Sequence, residues 1–313
     1  MKKNGMTQIK ADMMLMLVTL GWGVSYFMMD LCLEEIDPLT LNAFRFLGAF
    51  VVAWLLIVRK MIHVNRMTLK YAFFVSLSLV IVYIGATYGV KYTSQSNAGF
   101  LCGTAVIFTP VLTFLIKRVL PEKKILFVVL LCTAGMALMT LDSHMKVASG
   151  DLLCLMCGLF YAVDLLINEA GVRHREVDAF QLGVYQLGFT GVWMLLLALI
   201  FEDMRLPETG ACWVALIFLT VFCTGIAYIA QVIGQQYTSA THVGVIFTLE
   251  PVFAAIVAFL FAGERLLPRA YVGMVMMLVS ILIMELGGAS GGSADGGRDD
   301  RIDGSGSAEQ EHI

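Results

Sequence analysis

A glutamate and a proline stand side by side, Glu250-Pro251, inside a stretch from Tyr237 to Arg265 that is otherwise apolar, and Glu250 is the sole formal charge between Glu208 and Glu264. A carboxylate near the centre of an apolar helix costs about 2.5 kcal/mol on insertion scales and more than about 10 for an isolated helix, so it needs a partner, a proton or a water-filled cavity. Two chemistries fit: gripping an amino or other cationic group of a solute, or taking up a proton. The plain alternative is a structural carboxylate hydrogen-bonded to a neighbouring helix. Pro251 lacks a backbone N–H, which frees the Phe247 carbonyl one turn back and kinks the helix there.

Other side chains could work with it. Arg45 interrupts an apolar run and either enters the pathway or snorkels to the nearer surface. Asp164 sits near the end of a later apolar run, where Arg173 is its expected partner. His242 can titrate, or can be a satisfied structural histidine. Trp22 and Tyr26 are four apart and share a helix face, and polar-tipped aromatics at mid-membrane need partners, so they and Tyr161 are read as pathway residues. Asp30 and Lys91 lie at run ends and read as solvated rim charges. Gly85 to Gly89 and Gly99 to Gly103 are small-residue spacings that let helices pack closely.

Positioning these residues is a task for lipid-embedded helices. The chain has 313 residues, 59% hydrophobic and 14% charged, where a soluble chain of this size carries about 25% charge. With a mean hydropathy of +0.82 it reads as a polytopic, all-α integral membrane protein. There is no basic patch for nucleic acid. The cysteines lie almost wholly in apolar runs and give no disulfide framework; Cys154 and Cys157 have redox spacing but no flanking histidine. No motif calls for a cofactor or a metal, and nothing in the sequence sets an oligomeric state.

Taking about 20 apolar residues per crossing, the runs are Met13 to Met29, Leu39 to Val58, Tyr71 to Val90, Tyr92 to Ile116, Ile125 to Leu141, Leu152 to Asn168 and Ala179 to Phe201. Thr209 to Leu249 is too long for one crossing and must fold back at Gly234 to Ser239; a ninth helix then ends at Gly263 and a tenth runs from Ala270 to Met284. The count is about ten. From Gly287 the chain is rich in Gly, Ser and Asp and cannot bury a core, so residues 287–313 read as a disordered tail. With the N-terminus in the cytoplasm, thirteen Lys and Arg fall inside and five outside. Both termini are then cytoplasmic, in the cell membrane.

The chain repeats itself. Tyr92-Thr93-Ser94 returns as Tyr237-Thr238-Ser239, the same offset of 145 pairs Gly99 with Gly244, and at the front of each half Gly23 and Tyr26 match Gly158 and Tyr161. Phe44-Arg45 lines up with Tyr185-Gln186. Five helices per copy is an odd number, so the second copy crosses the membrane upside down. Inverted repeats of this kind place a substrate site near the midplane between them. The architecture expected is a five-plus-five inverted repeat around a central cavity, with residues 11–141 as the first repeat and 150–286 as the second.

Gly21-Trp22-Gly23, Arg45, Tyr92-Thr93-Ser94 and the run from Leu249-Glu250-Pro251 to Gly263-Glu264-Arg265 together resemble the drug/metabolite transporter superfamily in its EamA-type branch. The resemblance implies ten helices around a central cavity and export or exchange of small metabolites such as amino acids, with protons as a second candidate partner. The first copy departs from the pattern, since Pro110 lies four positions beyond the match to Pro251 and Leu120-Pro121-Glu122 stands where Gly-Glu-Arg is expected. Pro110 and Pro251 are the gating candidates. A passive channel or a membrane sensor is the competing class. An intramembrane enzyme would need a constellation such as His-Glu-x-x-His, which is absent.

Overall fold

The computed structural model describes residues 6–92, 100–118, 120–140, 149–257, 259–260 and 267–288. Thr93-Ser94, Gly99, the loop 141–148, Gly263-Glu264-Arg265 and the tail from 289 lie outside them, as do the side chains of Tyr26, Asp30 and Lys91. The described residues are helical and contain no strand. The helices are α1 (Gln8–Leu33), α2 (Pro38–Leu56), α3 (Arg66–Tyr92), α4 (Phe100–Lys117), α5 (Lys123–Thr140), α6 (Ser149–Arg173), α7 (Ala179–Phe201), α8 (Gly210–Gly234), α9 (Ala240–Val257) and α10 (Pro268–Gly288). Eight of them, α1 to α4 and α6 to α9, are long and apolar enough to cross a membrane; α5 and the shorter apolar α10 pack on each other.

Several elements are longer than their apolar runs, and at two of them, Asp12 in α1 and Glu169 in α6, a charged residue has a partner inside the fold. α1 takes in Lys10, Asp12 and Asp30, and α3 runs through Lys91 to Tyr92 instead of turning there. α6 continues past Asn168 to Arg173, since Glu169 pairs with Arg173 one turn on. Outward faces carry exposed apolar residues such as Leu17, Leu56, Ile200 and Val214, as lipid contact requires.

Packing obeys the inversion. α1 lies on α9 as α6 lies on α4, α2 on α8 as α7 on α3, and α1 on α8 as α6 on α3. The α2–α7 and α5–α10 pairs are their own counterparts. Gly23 and Gly158, matched in sequence, serve matched contacts: a Cβ on Gly23 would lie 2.8 Å from the Ala254 backbone nitrogen of α9, and one on Gly158 2.8 Å from the Leu101 carbonyl of α4. Gly85 and Gly89 admit Cys157, Leu153 and Cys154 of α6, so the C-x-x-C pair is helix packing, and all seven cysteines are free.

Two helices are irregular. In α8 the ladder widens to a π-helical turn over Leu219–Ile226. In α9 the first half, Ala240–Phe247, ends in tighter bonds from Thr248 N to Val245 O (3.2 Å) and Leu249 N to Ile246 O (3.1 Å), and the second half starts afresh at Glu250–Val257. Pro251, whose missing N–H costs nothing in a first turn, explains why the break falls there. Pro110 acts differently, because α4 continues through it from Ala105 to Lys117 and its irregular turn falls earlier, at Thr104.

The α5–α10 seam is the tightest. A Cβ on Gly273 would meet the Gly135 carbonyl oxygen at 2.3 Å and the Met139 nitrogen at 3.0 Å, both backbone atoms that cannot swing aside. Gly21 has nothing within 4 Å of the same construction. Gly273→Ala is therefore expected to destabilise the protein by about 1–3 kcal/mol through overpacking, whereas Gly21→Ala should be neutral or stabilising, by up to about 1 kcal/mol from helix propensity. Thermal unfolding of both variants in detergent checks the opposite signs.

Candidate functional site

Six aromatic rings from six helices meet at the centre. Trp22 (α1) stands edge-on to Phe247 (α9), ring centroids 4.8 Å apart, and touches Tyr228 (α8) at 5.5 Å and Tyr161 (α6) at 6.3 Å. Tyr161 stacks on Phe247 at 6.1 Å, and Phe46 (α2) meets Tyr83 (α3) at 4.9 Å and Tyr228 at 5.7 Å. The Tyr83 and Tyr228 hydroxyls share a hydrogen bond of 2.9 Å, and the two residues are 145 apart, the repeat offset itself. The cluster therefore lies on the axis of inversion. The buried Tyr161 hydroxyl has no hydrogen-bond partner there.

The π-helical turn serves this centre. It brings the Cys223 carbonyl to the Trp22 indole N–H, which donates to it at 2.9 Å, and sets Thr224 to accept from Arg45 Nε at 2.8 Å. Arg45 is 2% exposed, so it does not snorkel. Its guanidinium carbon lies 5.8 Å from the centre of the Phe46 ring and 5.5 Å from that of Tyr83, and Nη1 reaches Met29 Sδ at 3.4 Å. No carboxylate among the described residues forms an ion pair with it. Its repeat partner Gln186 is equally buried, with neither side-chain oxygen nor nitrogen hydrogen-bonded.

Two carboxyls flank the rings from opposite sides. Glu250, half-buried, opens the second half of α9 one turn beyond Phe247, where its charge reaches Tyr83 and Tyr161 and complements the helix dipole. Asp164 lies one turn beyond Tyr161 in the opposite direction, because α6 and α9 run antiparallel through the centre. Arg173 is not its partner: Ser78 Oγ lies 3.2 Å from Oδ1, while Asn168 Nδ2 at 3.2 Å and Gln231 Nε2 at 3.5 Å donate to Oδ2. Arg173 goes instead to Glu169.

Glu169 closes the end of the bundle where the lysines and arginines gather. Its Oε1 accepts from Lys117 Nζ at 3.0 Å and Arg173 Nη2 at 2.7 Å, and its Oε2 caps α9 by accepting from Ala240 N at 3.0 Å. Nearby, His242 Nε2 lies 3.5 Å from Asp12 Oδ1, so His242 belongs to this latch between α1 and α9 rather than to the ring cluster. A largely apolar cleft of about 370 Å³ between α3, α4 and α6 opens beside the latch, away from the centre.

The opposite end is tied crosswise. Glu202, after α7, caps α2 by accepting from Leu39 N (2.8 Å), Thr40 N (2.7 Å) and Thr40 Oγ1 (2.9 Å). Glu35, before α2, caps α8 by accepting from Glu208 N (2.8 Å), Thr209 N (3.1 Å) and the Thr209 hydroxyl. The Thr209 hydroxyl, then the backbone N–H groups, hold the Glu35 carboxyl below the ordinary carboxylate range.

The structure thus brings Trp22, Arg45, Tyr161, Asp164, Glu250 and Pro251 together, places His242 and Pro110 apart, and shows Tyr26 only as part of α1. Sequence reasoning missed Phe46, Tyr83, Tyr228 and Phe247, and also Asp12 and Glu169. Extending the 145-residue offset to tyrosines would have found Tyr83 and Tyr228.

These features define a polytopic membrane protein built as an inverted repeat with a shielded polar and aromatic centre. The sequence pattern of the EamA-like transporter family matches it twice, over residues 9–141 and 148–286. The chain belongs to that family. It is 26% identical over 291 residues to an uncharacterized transporter of Archaeoglobus fulgidus, covering 90% of this chain and 88% of the other. It is 24% identical over 288 residues to the uncharacterized transporter YoaV of Bacillus subtilis, covering 88% and 96%. A crystal structure superposes with a TM-score of 0.76 at 14% identity, covering 90% of this chain and 98% of that one, a likeness of fold.

The Glu35 cap makes one end of the bundle acid-sensitive. A carboxyl whose folded pKa lies below its unfolded value contributes stability above the unfolded value and loses it as pH falls through the folded one. The parent should therefore unfold at a higher temperature than Glu35→Gln above the ordinary carboxylate range, with the gap closing as pH falls below that range. A gap that does not change with pH would contradict the assignment.

Proposed function

We propose that the chain is a secondary transporter that exports or exchanges small polar metabolites, amino acids foremost, across the cell membrane by alternating access. The observation that carries this reading is a buried arginine with no carboxylate partner among the described residues, on the same ring cluster that Glu250 adjoins. A zwitterion fits such a pair, its carboxylate on the free donors of Arg45 and its ammonium on Glu250, with Trp22, Tyr161 and the other rings receiving the apolar part. The split α9, with Glu250 and Pro251 at the start of its second half, resembles the discontinuous helices that line transporter sites.

The repeats, residues 11–141 and 150–286, rock against each other about the rings. The end that collects lysine and arginine faces the cytoplasm together with both termini. There the Glu169 and Asp12–His242 latch is the gate that parts when the other end closes. Pro251 is the weak point where the halves of α9 move, and Pro110 lets α4 flex in the other copy.

Counterflow of labelled amino acids into preloaded liposomes tests the reading, because an open channel cannot drive exchange. Glu250→Gln should insert and fold normally yet lose roughly tenfold or more of the flux, equivalent to about 1.4 kcal/mol. Counterflow absent from the parent across an amino-acid panel overturns the assignment; parent-like flux in Glu250→Gln makes that carboxylate structural.

A further inference from the structure

Asp164 is a carboxyl at 0% exposure that forms no ion pair with any cation among the described residues. Among the described residues the surrounding groups offer it no opposite charge: Tyr161, one turn back on α6, has an unpartnered hydroxyl but brings no positive charge, and the others are engaged elsewhere. On α4, Lys117 is bound to Glu169, as is Arg173 on its own helix. On α9, His242 lies against Asp12, and Glu250 stands across the rings. The neighbours on α3 and α8, Tyr83 and Tyr228, bond to each other, and Tyr185 of α7 donates to the Met61 carbonyl. An ionised carboxylate left alone in so dry a place costs several kcal/mol or more, and such groups take up a proton instead.

Counting hydrogens at the site leads to the same answer. Ser78 has one hydroxyl hydrogen, and its Oγ lies 2.8 Å from the Val75 carbonyl, which can only accept. The remaining contact, 3.2 Å from Ser78 Oγ to Asp164 Oδ1, is then filled if the carboxyl donates. Oδ2, the carbonyl oxygen of that acid, accepts from Asn168 and Gln231. The amide oxygens of Asn168, Gln231 and Gln235 have no partner of their own, although all three are buried. Gln235 Nε2 donates to the Leu165 carbonyl at 3.0 Å, so these oxygens descend one helical turn at a time along α6 and α8 from the rings towards Glu169. They form an acceptor-lined route with a carboxyl at its head and a latch at its foot.

We propose that Asp164, held by Ser78, Asn168 and Gln231, is the site of a coupling proton, separate from the solute site at Arg45 and Glu250; this rests on the transport reading above. Release breaks the Oδ1–H bond, the electron pair stays on Asp164, and the proton passes to water admitted when the Glu169 latch opens. Reprotonation is the reverse. The charge left behind disfavours closing the dry site again, so proton loss and the open end go together.

Infrared difference spectra of the full-length protein in liposomes, recorded as pH is raised, read the proton without a solute. The parent should show the carbonyl stretch of a buried carboxylic acid, shifted in heavy water and lost at high pH; Asp164→Asn should lack it and Glu250→Gln should keep it. If Asp164→Asn does not fold, Gln231→Leu, which keeps the acid but removes a donor to Oδ2, should move the band. A parent without the band, a band retained by Asp164→Asn, or one unmoved in Gln231→Leu overturns the proposal. In the same liposomes Asp164→Asn should keep counterflow and lose accumulation driven by a pH gradient. Accumulation that persists removes the coupling role, while a parent that shows the band but no counterflow of any amino acid leaves the protonated acid in place and sinks the transport reading alone.

Discussion

A guanidinium cannot be buried among apolar helices without something to replace its water, and much of this architecture follows from how Arg45 meets that constraint. Its charge lies over the Phe46 and Tyr83 rings, one donor is given to Thr224 and another to the Met29 sulfur. Thr224 is available because the ladder of α8 widens into a π turn, and that turn also offers the Cys223 carbonyl to Trp22. One irregularity thereby fixes both an arginine from α2 and a tryptophan from α1. Trp22 meets Phe247 and Tyr161 edge-on, and those two stack on each other, so the centre is a single connected unit whose members come from both repeats.

The inversion explains where the ties between the halves fall. Near the basic end, the turn before α7 is bound to the stretch before and into α3, through Gln181 to the Lys60 and His63 carbonyls, Tyr185 to the Met61 carbonyl and Asp178 N to Thr68. At the other end, Glu35 and Glu202 bind the α1–α2 turn to the α7–α8 turn. These are the same joint seen from opposite sides of the bundle. The Glu35 and Glu202 end uses helix N-termini, whose unpaired N–H groups and partial positive charge suit a carboxylate, whereas the basic end uses side-chain donors from α7 to the carbonyls before α3. Such joints hold α2, α3, α7 and the start of α8 as a frame. Against that frame α1, α4, α6 and α9 meet at the Glu169 latch and at the close contacts of Gly23 and Gly158.

Much of this was legible in the sequence, for identifiable reasons. Apolar runs separated by charge mark membrane helices because lipid admits little else, and the Tyr-Thr-Ser and Gly repeats marked the inversion. Glu250 beside Pro251 stood out because a charge and a missing donor are both anomalies in an apolar run. Run ends were misjudged wherever a charge had a partner inside the fold: Asp12 with His242 lengthens α1 inward, and Glu169 with Arg173 carries α6 onward. The pairing of Asp164 with Arg173 failed because sequence proximity does not say which helices face each other. Asp164 looks across to α3 and α8, and Arg173 is taken by a residue one turn away. The π turn has no local signature in the residues Leu219–Ile226, and without it the partnership of Trp22 with Cys223 could not be foreseen.

The central claim is reciprocal motion: the ends of the bundle are coupled through the ring cluster, so releasing one must close the other. Spin labels on Arg118 and Gln236 report the basic end, and labels on Glu34 and Leu206 report the opposite one. Glu169→Gln weakens the latch without touching the centre. Electron–electron distance measurements on both pairs in liposomes, parent against Glu169→Gln, should show the basic-end distance lengthening while the opposite-end distance shortens in the same fraction of molecules. Lengthening at the basic end with the opposite end unmoved would mean that the ends act independently, and the account would be wrong at its centre.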